Sequence, residues 1–445
     1  MILPHGWTIE KFESVVKIND NLRKPINNAE RELRISGKKI DELFPYYGAT
    51  GQVGYIDGYI TDGEYVLLGE DGAPFLNSYA NKAYIIRGKT WVNNHAHVLK
   101  SKYNNKFLCH YLNYIDYNGY ITGTTRLKLT QGDMKRIPIL NPPASEQQRI
   151  VAKIDSLFSK LDNGTAFLKN IKIQLAIYKQ AVLKWAFEGK LTEEWRKRNH
   201  ISDWEYVTIE KFLIKTDKPM STGPFGTMLK KHEHKIAGVP VLGIENIGKG
   251  VFITGNKIFV TQNKAEYLKS FVLHTNDVII SRSGTVGELC LVPPQFDGSL
   301  MSTNLIRVTL DEKVIIPNFF VFLFQSKGIV IDQIKELCKG STRPFLNQTI
   351  LKKISFPLLN INEQQQIIDK IESRLSLCDK LEQTINDTLA LSTSLRQSIL
   401  KKAFEGRLVP QDPSDEPAEK LLERIKAEKT AVPAKQKQTR KRGRK

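Results

Sequence analysis

The 445-residue chain contains most of itself twice. Thr8-Ile9-Glu10-Lys11-Phe12 returns unchanged as Thr208-Ile209-Glu210-Lys211-Phe212, an offset of 200, with Trp7 and Trp204 preceding the two copies. Val66 to Gly72 aligns with Val278 to Gly284 at an offset of 212. Gly123-Thr124-Thr125-Arg126 matches Gly340-Ser341-Thr342-Arg343 at 217. That offset then holds through Glu146-Gln147-Gln148-Arg149-Ile150 (Glu363 to Ile367) and Lys179 to Gly189 (Arg396 to Gly406). Each half therefore has a front part that tolerates insertion and a back part of fixed length. Such self-similarity dictates one architecture used twice.

The two parts differ in kind. Residues 1–145 read as short strands broken by Gly and Pro, including Tyr46-Tyr47-Gly48, Gly54-Tyr55-Ile56, Tyr65 to Leu68 and Ala83 to Ile86. Helices are expected at 105–118 and 317–330. The back parts, Glu146 to Gly189 and Glu363 to Gly406, carry no proline. In the first, Ile150, Ile154, Leu157, Leu161, Leu168, Leu175 and Val182 follow heptad steps, with Asp162-Asn163-Gly164 as a possible bend. In the second, Ile367, Ile371, Leu381, Ile385, Leu395 and Ile399 keep the phase. A heptad seam predicts paired helices, each about 66 Å long if continuous. Gly189 and Gly406 stand where left-handed caps end helices. The expected fold is α+β. Two similar α/β domains, each an irregular β-sheet with short helices, are separated by two long antiparallel helices forming a coiled coil, with an internal pseudo-twofold repeat.

Charge narrows the partners. Lys+Arg is 66 against Asp+Glu 47, a net charge of +19. Seven basic residues lie in 430–445, so the rest carries +12. A basic body favours a polyanion, nucleic acid before membrane. No apolar run approaches the ~18 residues of a membrane span, and the N-terminus lacks a secretory pattern. Four separated cysteines fit a reducing cytoplasm.

Several fragments approach catalytic motifs, and each fails a chemical test. Asn141-Pro142-Pro143-Ala144 resembles an amino-methyltransferase tetrapeptide but lacks the aromatic that stacks on a flipped base. Gly243 to Gly250 approaches a P-loop but has Gly250 where a hydroxyl must ligate Mg²⁺, and Val251 to Thr254 reads as a strand instead of the required helix. His95-Ala96-His97 and His232-Glu233-His234 lack further ligands at useful spacing, so no metal is expected. A basic, duplicated chain without catalytic sets reads as a recogniser of two nucleic-acid segments. A self-sufficient DNA methyltransferase or nuclease, and a scaffold without a DNA role, are the alternatives.

The sequence resembles the DNA specificity subunit of type I restriction–modification systems. The resemblance is carried by Glu146 to Ile150 and Glu363 to Ile367 opening the helices. Ala186-Phe187-Glu188-Gly189-Lys190-Leu191 and Ala403-Phe404-Glu405-Gly406-Arg407-Leu408 close them. Pro45 to Gly51 and Ser281 to Gly287 are similar to motifs of its recognition domains. The resemblance implies two target recognition domains, each reading half of a bipartite asymmetric site on double-stranded DNA, and helices that set the gap. It implies docking of two methylation subunits and, through them, two restriction subunits. The chain itself would be non-catalytic, with S-adenosylmethionine, ATP and Mg²⁺ used by the partners for adenine-N6 methylation and ATP-dependent cleavage.

The expected divisions are recognition domain 1 (1–145), helical region 1 (146–190), a linker (191–203), recognition domain 2 (204–362) and helical region 2 (363–409). A short helix (410–429) and a basic tail (430–445) follow. Thr125, Arg126, Thr342 and Arg343, in small-residue loops common to both halves, are candidates for DNA-backbone contact. Arg87, Lys89, Lys100 and Lys102 in the first domain, and Lys230, Lys231, His232 and Arg282 in the second, are candidates for base readout because they lie in diverged parts.

Overall fold

A computed structural model describes residues 3–225, 227–338, 345–420, 422–424 and 427. The chain divides into two compact units, 1–168 with 386–445, and 169–385. The division cuts each long helix, so each unit owns one front part and portions of both helices.

In the first unit the duplicated Thr8–Lys11 pairs antiparallel with Pro138–Asn141. An antiparallel sheet runs in the order Val16–Ile18, Ala96–Ser101, Tyr65–Gly69, Ala83–Ile86. A second sheet places Phe44–Gly48 antiparallel to Gly51–Ile56 and parallel to Lys89–Val92, with Thr61–Asp62 at its edge. The helix Asn105–Tyr114 is started by the Asn104 side chain, which accepts from the Lys106 and Phe107 amides. Its Phe107, Leu108, Tyr111 and Leu112 are buried in the unit's main core.

The second unit repeats this plan. Glu205–Thr208 pairs with Ser355–Leu358. An antiparallel sheet runs Met220–Thr222, Leu305–Val308, Val278–Ser281, Leu289–Leu291. In its smaller sheet, Val239–Leu242 is antiparallel to Phe259–Val260 and parallel to Leu300–Met301. The order and sense of the shared strands agree between the units, and the edge strand Thr61–Asp62 has no counterpart among the described residues of the second. What differs is inserted between the shared strands: the helix Asn28–Ile35 in the first, the helix Gln262–Tyr267 in the second. The expected strand at Val251 to Thr254 is absent; Phe252 makes one bridge to Ile247 within a turn. The expected helix at 317–330 ends earlier, as Pro317–Gln325, and a second helix, Val330–Leu337, follows. The linker carries a short helix, Glu193–Arg198.

The long helices are Ala144–Phe187 and Ile361–Phe404, 44 residues each. Gly164 does not interrupt the first. Both end as expected. Gly189 and Gly406 take φ of +76° and +71°. The next amides, Lys190 and Arg407, reach back to the Trp185 and Lys402 carbonyls, closing the last turn of each helix.

Within each unit the helices pack antiparallel. In the first, Ile150, Val151 and Ile154 share a core with Ile399, Leu400, Ala403 and Phe404, and Arg396 pairs with Asp162 while lying over the Phe158 ring. In the second, Val182, Ala186 and Phe187 share a core with Ile367, Ile368 and Ile371. Lys179 reaches Asp379 at 2.7 Å and Glu382 at 2.9 Å.

The expected seam needs one correction. Ile150, Ile154 and Val182 are buried and Leu157, Leu161, Leu168 and Leu175 half-buried. Ile367, Ile371, Ile385 and Ile399 are buried as well. Leu381 and Leu395, however, are 45% and 47% exposed. Cys378 is buried and Glu382, Leu389, Ser392 and Arg396 are half-buried in their place. An α-helix slips by about 20° per heptad, so the inner stripe moves one residue forward and carries the two leucines outward.

Candidate nucleic-acid interface

Both units frame the junction of front domain and helix with one repeated device. Trp7 Nε1 donates to Glu146 Oε2 at 2.9 Å, and Trp204 Nε1 donates to Glu363 Oε1 at 3.2 Å. The neighbouring glutamines are buried too. Gln147 donates to the Pro142 carbonyl and Gln364 to the Leu359 carbonyl, tying the helix start to the strand before it. Burial holds the Glu146 carboxyl above its ordinary range, against the indole bond. The Glu-Gln-Gln signatures are thus hinge plates, and Asn141-Pro142-Pro143-Ala144 is the strand-to-helix joint. Asn141 is buried, and its side-chain oxygen accepts from Gln147.

The Gly123-Thr124-Thr125-Arg126 loop closes a hairpin in which Thr122 and Lys128 exchange backbone bonds. Gly123 has φ +92°, and a Cβ there would lie 2.4 Å from the Arg126 carbonyl, so the turn requires glycine. Thr125 and Arg126 are exposed, and Arg126 Nε pairs with Asp71 at 2.5 Å. Thr342 and Arg343 lie outside the described residues.

The base-readout candidates separate into groups. Arg87 and Lys89 flank the Gly88 turn that joins the two sheets of the first unit, and both are exposed. Arg87 pairs with Glu64 at 3.0 Å. The Asn105 hydrogen bond, then Arg87, hold that carboxyl below its usual range. Lys89 lies over the Tyr59 ring at 4.8 Å. Lys100 is on a different strand, and Lys102 follows the end of that strand. Lys100 covers Tyr65, while Lys102 donates to the Glu13 and Ser14 carbonyls and so ties down the chain before the first sheet. In the second unit Lys230, Lys231 and His232 are contiguous and exposed around a 3₁₀ turn. Arg282 stands apart. It is half-buried beneath Phe345 at 4.5 Å, and it donates to the Leu346 and Thr303 carbonyls. Burial pushes its guanidinium pKa down.

The histidine pairs resolve differently. His97 is fully buried, with Nδ1 2.8 Å from Asp20 and Nε2 3.0 Å from the Leu129 carbonyl. His95 lies 3.6 Å from Asp71. These imidazoles anchor the hairpin bearing Arg126.

Sequence reasoning missed the helix Asn28–Ile35. Asn27 caps it by accepting from the Glu30 amide, and an asparagine followed three residues later by glutamate was the available signal. The helix buries no side chain. It is held by Arg31 over Tyr46, Arg34 over Trp91, and Arg34 and Lys38 on Asp57. Lys38, then Arg34, keep the Asp57 carboxyl below its usual range. Beside it the second sheet exposes Gln52, Val53 and Tyr55. Exposed cations interleaved with aromatic faces and amides are suited to phosphates and base edges. Among the described residues no group of three or more His, Cys, Asp or Glu side chains could hold a metal ion, and no helix is long and apolar enough to cross a membrane.

Comparison with known proteins agrees with this architecture. The model of the type I restriction modification DNA specificity domain family matches residues 4–176 and again 202–391. A putative type I restriction enzyme specificity subunit of Haemophilus influenzae is 29% identical, over 88% of this chain and 92% of its own length. The EcoDI specificity subunit of Escherichia coli is 25% identical, over 96% of each chain. Among solved structures, the HsdS subunit of Thermoanaerobacter tengcongensis is similar in fold, with a TM-score of 0.56 at 17% identity over 92% of this chain and 98% of that one. A chain from a type I restriction–modification system, solved in a study of complex assembly, reaches 0.64 at 17% identity, covering 92% of this chain and 100% of its own. With the family's domain present twice and its fold reproduced in both units, the chain belongs to the type I restriction–modification DNA specificity subunits.

Proposed function

We propose that the two front domains read the two halves of a bipartite, asymmetric site on double-stranded DNA, and that the long helices set the unread gap between them. The carrying observation is the combination of a shared strand plan with different insertions. A shared scaffold with diverged exposed elements is what two unlike half-sites demand. Arg126, Thr125 and their counterparts Arg343 and Thr342 are assigned to phosphate. Arg87, Lys89, Lys230, Lys231 and His232 are assigned to base edges. Lys100, exposed over Tyr65 as Lys89 is over Tyr59, is assigned likewise, whereas Lys102 and Arg282 are the weaker candidates, since they donate to the protein's own carbonyls.

The chain carries out no chemistry in this reading. It docks two methylation subunits and, through them, two restriction subunits, and S-adenosylmethionine, ATP and Mg²⁺ serve those partners. The helices support docking because they expose large apolar side chains: Phe167, Leu391 and Leu395 in one unit, Ile173, Ile177, Leu377 and Leu381 in the other. Exposed apolar surface of this kind marks interaction sites. Replacing residues 204–362 with the equivalent domain of another family member, followed by methylome sequencing, tests the reading. One half-site should change and the other persist. An unchanged site, or one changed in both halves, would overturn the assignment of one domain to each half.

A further inference from the structure

In each unit one short turn joins a strand of the smaller sheet to a strand of the larger one. In the first it is Asn93-Asn94-His95, between Lys89–Val92 and Ala96–Ser101. In the second it is Ser302-Thr303-Asn304, between Leu300–Met301 and Leu305–Val308. Strand register makes the two turns equivalent. Val92 lies opposite Tyr47 as Met301 lies opposite Leu242, and Ala96 lies opposite Gly69 as Leu305 lies opposite Ser281.

The backbone of both turns is pinned in the same way. The Asn93 amide donates to the Tyr47 carbonyl at 3.0 Å, and the Ser302 amide to the Leu242 carbonyl at 2.9 Å. At the other end the Glu70 amide donates to the His95 carbonyl at 2.8 Å, and the Arg282 amide to the Asn304 carbonyl at 3.0 Å. The middle carbonyls share a kind of donor as well. Arg23 Nη1 reaches that of Asn94 at 3.4 Å, and Arg282 Nη1 reaches that of Thr303 at 3.3 Å. These two arginines come from unrelated places in the chain. The side chains, in contrast, differ at every position of the turn. Asn94 and Asn304 are exposed, and His95 and Thr303 are half-buried.

The surroundings of the first turn are polar. Asn94 and His95 line a recess of about 370 Å³ with Asn28, Arg31 and Tyr46. Asn28 and Arg31 lie one turn apart on the inserted helix Asn28–Ile35. His95 Nδ1 is 3.6 Å from Asp71, which also pairs with Arg126, so the turn adjoins the loop assigned to phosphate. An asparagine amide carries the donor and acceptor that match the major-groove edge of adenine, and a guanidinium carries the donors that match guanine. Base readout needs such groups on a fixed frame. A frame built twice, with different tips, suits two unlike half-sites.

We propose that this turn is the base-reading element of each front domain. Asn94 and His95, with Asn28 and Arg31, read the first half-site; Thr303 and Asn304 read the second. This assignment rests on the proposed reading of one half-site by each domain, and it adds the residues that touch the bases.

The test uses the chain in complex with its methylation subunits. The substrates are duplexes in which each position of the methylated site is replaced by each base in turn. Asn94→Asp keeps the size of the side chain and exchanges its donor for an acceptor. It should lower methylation of the original base roughly tenfold at one or two adjacent positions of one half, with the other half and the gap unchanged. Asn304→Asp should do the same in the other half. Two further variants keep the test decisive if a turn variant fails to fold. Asn28→Asp, in the first turn of its helix where an acid is favourable, should act on the same half as Asn94→Asp. Thr303→Val, which removes only the hydroxyl, should act on the same half as Asn304→Asp. Three results overturn the proposal: the original preference retained at every position, a change in both halves from one substitution, or an equal loss for all bases at unchanged Tm, which marks a phosphate contact. Exchange of residues 204–362 separates this failure from that of the wider reading. If the exchange alters one half while the turn variants alter none, only the turn assignment falls. If the exchange alters neither half, or both, the reading beneath it falls as well.

Discussion

A buried glutamate at a helix start is an expensive choice, and the two copies meet its cost unequally. Glu146 receives one direct hydrogen bond, from Trp7, whereas Glu363 receives two. Trp7→Phe should therefore destabilise the first unit by about 1–3 kcal/mol, the cost of leaving a buried polar group unpaired. Trp204→Phe should cost less, because Thr192 still donates. Urea denaturation of the two variants checks the order, and equal losses would show that the indoles serve only as packing. A second prediction concerns acid. His110 is held below its ordinary pKa, first by burial, despite Asp155 3.4 Å away and with Lys106 adding to the lowering. The folded state thus binds that proton less readily than the unfolded chain, so stability is lost as pH falls below about 6.5. Asp155 is itself held low by Lys106 and His110, against desolvation. Its contribution is present above pH 3.8 and is lost only as pH falls through the lower folded value. His110→Gln should flatten the stability profile just below pH 6.5 while leaving the more acidic limb. An unchanged profile would remove His110 from the account.

At the scale of the element, the long helices show how far periodicity carries and where it stops. The start, the end and the first seam were all legible: Glu146 and Glu363 at one end, Gly189 and Gly406 at the other, apolar residues between. The second seam was misread at Leu381 and Leu395. Hydropathy marks which residues are apolar, whereas helix rotation decides which of them face inward, and a polar residue occupies the inner stripe when it is satisfied there, Glu382 by Lys179 of the facing helix and Ser392 by the Thr388 carbonyl of its own. Substitution distinguishes the two faces. Ile385→Ala should cost about 2–5 kcal/mol, as for other buried aliphatics. Leu381→Ser should change the stability of the chain by no more than about 0.5 kcal/mol, yet weaken co-purification with the methylation subunits. Full co-purification of Leu381→Ser and Leu395→Ser variants would argue that the outer leucines carry no partner. The helix Asn28–Ile35 illustrates the opposite failure. It buries nothing, so no apolar stripe announced it; its asparagine cap, the ring contacts of Arg31 and Arg34 and the ion pairs on Asp57 hold it to the sheet.

For the molecule as a whole, the prediction is one of register. If the helices set the unread gap, seven extra residues inserted into 146–189 should change the spacing of the methylated site or abolish modification, and methylome sequencing reads either result. Retention of the original spacing would detach the helices from that role. The duplication, the junction signatures, the helix caps and the strand runs were legible because they arise from local chemistry: which residues tolerate a turn, cap a helix or repeat with a fixed period. Which cations remain available to DNA was not, because that depends on neighbours distant in sequence. The carbonyls of Glu13 and Ser14 take Lys102, and those of Leu346 and Thr303 take Arg282. Sequence by itself determined that one domain plan is used twice and that each copy runs into a long capped helix. Only the tertiary structure decided that the two hinge glutamates differ in their partners, since a charge is paired or left unpaired by what folds against it.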